Sequence, residues 1–165
     1  MFLFRVPHNT ISKFVPEVCQ AIIDEYAEEV IACPTTKEQW RVIADQFSQF
    51  HHCVGALDGK HIAIRCPKHG GSVYYNYKGF HSIIMLALVD ADYKFIWVDV
   101  GSNGCAGDAQ IFNGSELKEV IEDGTIGFPD AEPLPGDDKD MPYFIAADDA
   151  FALRLWLMKP HSQRN

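Results

Sequence analysis

The feature that most constrains this chain is a change of hydrophobic period at Val54. Before it, apolar residues recur at three- and four-residue spacing: Ile11, Phe14, Val15, Val18 and Ile22, then Trp40, Ile43, Ala44 and Phe47. That spacing predicts amphipathic helices. After it come runs of strand length, over residues 54–65, 82–90, 94–101 and 142–147. The pair at 82–90 and 94–101 flanks the turn Asp90-Ala91-Asp92-Tyr93 and predicts a hairpin. A helical lead-in followed by a sheet is therefore expected.

The lead-in divides into helices over residues 10–32 and 36–49. Thr10 can cap the first, and Pro16 resets its start or kinks it. Pro34 breaks the chain, and Thr36-Lys37-Glu38-Gln39 has the form of a capping box. A further helix is expected over residues 108–122, with Asn113-Gly114-Ser115 as an interruption or second cap and Gly124 as its stop. Residues 150–158 read as the beginning of another helix. The division is thus a lead-in over residues 1–53 and a second domain over 54–165. Strand, two-stranded hairpin, helical crossover and strand, in that order, make the first half of an RNase H-like mixed α/β sheet.

Composition bounds the function. With 47% hydrophobic and 22% charged residues, the chain has the balance of a folded domain and not of a disordered one. The longest apolar run, residues 83–89, falls far short of the ~18 residues of a membrane helix, and residues 1–5 are too short for a signal-peptide core. No membrane association is expected. The net charge is −9, which argues against a nonspecific DNA binder held mainly by lysine and arginine. That charge is concentrated, however: residues 121–149 hold nine acidic residues against Lys139 alone, while Arg154, Lys159 and Arg164 follow. The Asp-, Pro- and Gly-rich middle of the acidic stretch reads as a solvated loop. Five cysteines without a Cys-x-x-Cys pair point to reduced thiols in a nuclear or cytoplasmic setting. His51, His52, Cys53, Cys66 and His69 could be assembled into a zinc site, although their spacing fits no compact finger.

Three aspartates could carry chemistry. Asp58 lies on the first strand and Asp148 at the end of the fourth, and these strands are neighbours in the expected sheet. Two carboxylates brought together need a counter-charge, and a divalent cation supplies one. A turn role for Asp58 and a helix cap for Asp148 stay open beside that reading. Asp108 precedes a helix and is, on pattern alone, an N-cap. Lys60 shares a strand face with Asp58, and Tyr74-Tyr75-Asn76-Tyr77-Lys78 offers aromatics and a base suited either to nucleic-acid stacking or to a packed sheet edge.

Gly55-Ala56-Leu57-Asp58-Gly59-Lys60-His61-Ile62, Tyr75-Asn76-Tyr77-Lys78-Gly79-Phe80-His81-Ser82, Leu88-Val89-Asp90-Ala91, Gly107-Asp108 and Ala147-Asp148-Asp149-Ala150-Phe151 together resemble the DDE endonuclease domain of PIF/Harbinger transposases. The resemblance extends over nearly the whole chain. It implies an RNase H-like fold and a DNA endonuclease using a divalent cation, magnesium or manganese. In the implied site Asp58 and Asp148 are catalytic and, with Asp108, hold the metal; Asp149 is the lesser candidate. It further implies DNA as substrate, a Myb-like DNA-binding protein as partner, and placement in the nucleus and also the cytoplasm. The family's final acid is a glutamate on a later helix, whereas here no glutamate follows Glu132. The expectation is therefore a fragment truncated before its last acid, with an incomplete sheet and no activity of its own. The alternative is a non-catalytic transposase relic serving as a protein- or DNA-binding scaffold.

Overall fold

The computed structural model describes residues 6–161. The apolar start over residues 1–5 and Arg164 lie outside them. The chain forms two compact units, one up to Ala32 and the other from Cys33.

The first unit is the helix α1, His8–Val30, with Pro7 at its N-cap position and no side-chain cap; Thr10, read as a cap, lies inside its first turn. It runs unbroken through Pro16, so that proline does not reset its start. Ile11, Phe14, Val15, Val18 and Ile22 recur on one face, as the spacing requires, and all are exposed.

The second unit begins with α2, Lys37–Gln46. Its start is the expected capping box: Thr36 Oγ1 accepts from the Gln39 N–H at 3.3 Å, and Gln39 Oε1 accepts from the Thr36 N–H at 3.2 Å. Trp40 and Ala44, one turn apart, are the residues that α2 buries. The Trp40 Nε1–H donates to the Ile126 carbonyl at 2.9 Å, so the indole is satisfied inside the core.

The sheet follows. Strands β1 (Cys53–Ala63), β2 (Ser82–Val89) and β3 (Phe95–Asn103) form an antiparallel meander. The chain then crosses over through α3 (Asp108–Asn113) and α4 (Glu116–Glu122). The interruption expected at Asn113-Gly114-Ser115 is the break between these helices, and Ser115 caps α4 by accepting from the Lys118 N–H. In the acidic loop Asp130 and residues 135–140 are exposed, while Pro129 is buried and Phe128 half-buried against Trp40; β4 (Glu132–Pro133) and β5 (Asp140–Met141) pair within it. There Glu132 accepts from Arg41 and Tyr143, which ties the loop to α2. Strand β6, Phe144–Ala147, returns parallel to β1, and β7, Leu157–Met158, pairs parallel with β6. The sheet order is β3-β2-β1-β6-β7, an RNase H-like α/β arrangement.

The helix expected after β6 does not form. Residues 150–158 form a turn and β7, not a helix. Phe151 and Leu157 are buried, but Leu153 and Leu155 are exposed, so no continuous helical stripe exists. The Ile145 N–H instead donates to the Trp156 carbonyl at 2.8 Å, which draws this segment onto the sheet. Among the described residues no helix is long and apolar enough to cross a membrane.

Candidate active site

Strand register brings two of the three aspartates together. Leu57 on β1 pairs with Ala147 on β6 in parallel register, so Asp58 and Asp148, the next residues on each, leave adjacent strands at the same level. Leu57 is buried and Asp58 exposed, as strand alternation demands. Asp58 lies within β1 rather than a turn, and Asp148 caps no helix, although the side-chain hydrogen bond of each is local. No helix follows Asp148, whose Oδ1 accepts from the Ala150 N–H at 2.9 Å in a turn. Asp58 Oδ1 accepts from the Gly59 N–H at 2.8 Å and keeps its other oxygen free of that contact.

Asp108 comes from the crossover. It is the first residue of α3, whose cap is Gly107, so it is not the N-cap that pattern favours. Its carboxylate lies against the backbone of Gly59, one residue past Asp58. A Cβ added at Gly59 would stand within 2.6 Å of all three carboxyl atoms of Asp108. Glycine is therefore required here by close approach, a use that strand glycines commonly have.

The electrostatics agree. The Asp108 carboxyl is held above its ordinary range, first by burial and next by the negative charge of Asp58; Asp148 adds to this, while His61 and Lys78 oppose it. Asp108 thus feels both other aspartates and two bases. His61 is fixed by its Nδ1 contact with Ser82 Oγ at 2.9 Å. The proximity of Lys78 to Asp108 had no signal in the sequence, because it depends on where the link between β1 and β2 folds back, whereas His61 follows Gly59 by two residues on β1 and shares its face. Lys60 is exposed on β1, on the strand face that alternation shares with Asp58.

The donor set is three carboxylates, the hard oxygen type that suits magnesium or manganese. Among the described residues, no group of three His, Cys, Asp or Glu side chains is gathered tightly enough to hold a metal ion. Asp58 and Asp148 each spend one oxygen on a neighbouring backbone N–H. The zinc grouping is not assembled either: Cys53 is buried in the sheet, Cys66 and His69 are exposed, and all five cysteines are free.

The family described as DDE superfamily endonuclease matches residues 57–165. Among curated proteins, the chain is similar to "Putative nuclease HARBI1" of Xenopus laevis, 26% identical over 158 residues that make up 94% of this chain and 41% of that protein. The protein of the same name from Homo sapiens is 27% identical over the same shares. "Protein ALP1-like" of Arabidopsis thaliana is 24% identical over 161 residues, 96% of this chain and 39% of that protein. The chain spans about two fifths of the length of these relatives. No solved structure matches it.

Proposed function

Because this chain belongs to the DDE superfamily endonucleases, we propose that it is the aspartate-bearing part of a divalent-metal-dependent DNA endonuclease. Asp58, Asp108 and Asp148 are the residues that would hold magnesium or manganese, with Asp58 and Asp148 catalytic. The observation that carries this reading is the register of Leu57 with Ala147, with Asp108 near enough to both aspartates for their charges to reach it although it seats on Gly59, on the other face of β1. When bound, such an ion neutralises charge that develops on the oxygens of a phosphodiester under attack. The protein's part is to hold three carboxylates on two strands and a helix start, so that their mutual repulsion is relieved by a cation. Nuclear and cytoplasmic placement and a Myb-like DNA-binding partner belong to the same proposal, and family resemblance is their support.

A second reading, a non-catalytic scaffold for DNA or protein, is favoured by one observation: the three carboxylates are not gathered into a ready metal cluster. Manganese titration followed by electron paramagnetic resonance decides between them. The nuclease reading expects one saturable site that weakens by at least roughly tenfold in Asp58→Asn and in Asp148→Asn, since even the partners of metal ligands cost that much. Equal manganese binding by the parent and both variants would discard the site.

A further inference from the structure

Charge along this chain is segregated. Residues 59–89 carry Lys60, Arg65, Lys68 and Lys78 and no Asp or Glu, in a chain of net charge −9. Within that stretch the link from β1 to β2 ends in a tight turn built around Asn76. Asn76 is buried; its side-chain amide donates to Ser82 Oγ at 2.8 Å, and its Oδ1 accepts from the backbone N–H groups of Lys78 at 3.0 Å and Phe80 at 3.2 Å. Gly79, at φ +87°, makes the reversal that these bonds close. The turn is held by its own buried polar centre.

What this rigid turn presents is Tyr77. The residue beside buried Asn76 is 83% exposed, so the core accounts for none of its ring. His61 meets that ring edge-on at 5.5 Å between centroids, and Lys78 Nζ lies over the ring, 5.3 Å from its centre. His61 and Lys78 are also the two bases whose charges reach Asp108. An exposed aromatic and a cation over it therefore stand together on one turn, and the charge of that cation reaches Asp108.

We propose that the Tyr77–Lys78 tip holds an unpaired DNA nucleotide beside the aspartates, Tyr77 stacking on its base and Lys78 pairing with its phosphate. The inference deepens the nuclease reading and rests on it. Stacking on an aromatic ring tolerates any base, because every base has a π-face. A base inside an intact duplex is covered on both faces by its neighbours. The tip therefore selects single-stranded or frayed DNA over closed duplex.

Fluorescence anisotropy of the full chain with a short labelled oligothymidylate, and with a blunt duplex for comparison, tests this in EDTA. Tyr77→Ala should weaken oligonucleotide binding roughly tenfold and remove the preference for single strand, whereas Tyr77→Phe should retain both. Lys78→Ala should lower the slope of log affinity against log salt by about 0.7. Circular dichroism should be unchanged in each, since both side chains are exposed. Manganese titration of Tyr77→Ala, whose side chain is no metal ligand, should match the parent, so that failure of the metal site and failure of the tip give different results. Absence of oligonucleotide binding by the parent, unchanged binding by Tyr77→Ala, or duplex bound as tightly as single strand would overturn the inference.

Discussion

Gly59→Ala separates the site from the fold in a single methyl group. Gly59 lies in β1 and its backbone is outside the left-handed region, so alanine is sterically permitted by the main chain. Replacing a strand glycine with alanine ordinarily gains roughly 0.5–1 kcal/mol, from the smaller entropy of the unfolded chain. Here the new Cβ would stand within 2.6 Å of the Asp108 carboxyl atoms, whereas ordinary contact begins at 3.4 Å. The carboxylate is the end of a rotatable side chain, so it gives way, by close to an ångström. A metal–oxygen shell tolerates displacements of only about 0.2 Å. Asp108 would leave the shell while Asp58 and Asp148 stayed. The expected outcome is a melting temperature equal to or slightly above the parent's, with manganese affinity reduced at least roughly tenfold. Thermal melts and manganese titration on one preparation give both numbers. Unchanged affinity would show that Asp108 is not a ligand. A collapsed melting temperature would show instead that Gly59 serves the backbone and not the site.

Three further outcomes follow from particular contacts. In chelator, Asp108→Asn should melt higher than the parent at neutral pH, because the folded chain holds the Asp108 proton more tightly than the unfolded chain and its ionisation costs stability. That gap should close as pH falls below the ordinary carboxylate range, where both states are protonated; a gap independent of pH would refute the burial argument. Asn76→Ala should cost about 3 kcal/mol in urea unfolding, since it strands the Lys78 and Phe80 N–H groups and a Ser82 lone pair that are now satisfied. Trp40→Ala should cost about 3–5 kcal/mol, because the indole is fully buried, sits edge-on to Phe128 and donates to Ile126; Trp40→Phe should recover most of that, and equal losses would mean that the hydrogen bond outweighs the packing.

The elements whose period and ends are both encoded locally were legible in the sequence. The Asp90-to-Tyr93 turn between two apolar runs and the Thr36–Gln39 capping box are decided within a few residues, and both stand as read. Residues 150–158 were not legible, because Phe151, Trp156 and Leu157 are apolar in either state and only the edge offered by β6 draws Leu157 and Met158 into a strand. At the site, Asp58 and Asp148 could be paired from strand order alone. Asp108 looked like a cap because capping is local, whereas its approach to Gly59 depends on how the crossover packs over β1. The nearness of Lys78 was hidden for the same reason: a link of some twenty residues folds back, and nothing periodic records where it lands.

The central claim is that Asp58, Asp108 and Asp148 form one cation site, distinct from the general acidity of the loop that carries Asp130, Asp137 and Asp138. Trace manganese added to the isotopically labelled chain, with amide signals followed by nuclear magnetic resonance, tests it most directly, since a paramagnetic ion broadens the signals nearest to it. With one shared site, the signals of Asp58, Gly59, Asp108 and Asp148 broaden first and together, and Asp58→Asn abolishes the effect at all four. Broadening that begins at Asp137 and Asp138 while those four signals stay sharp would contradict it.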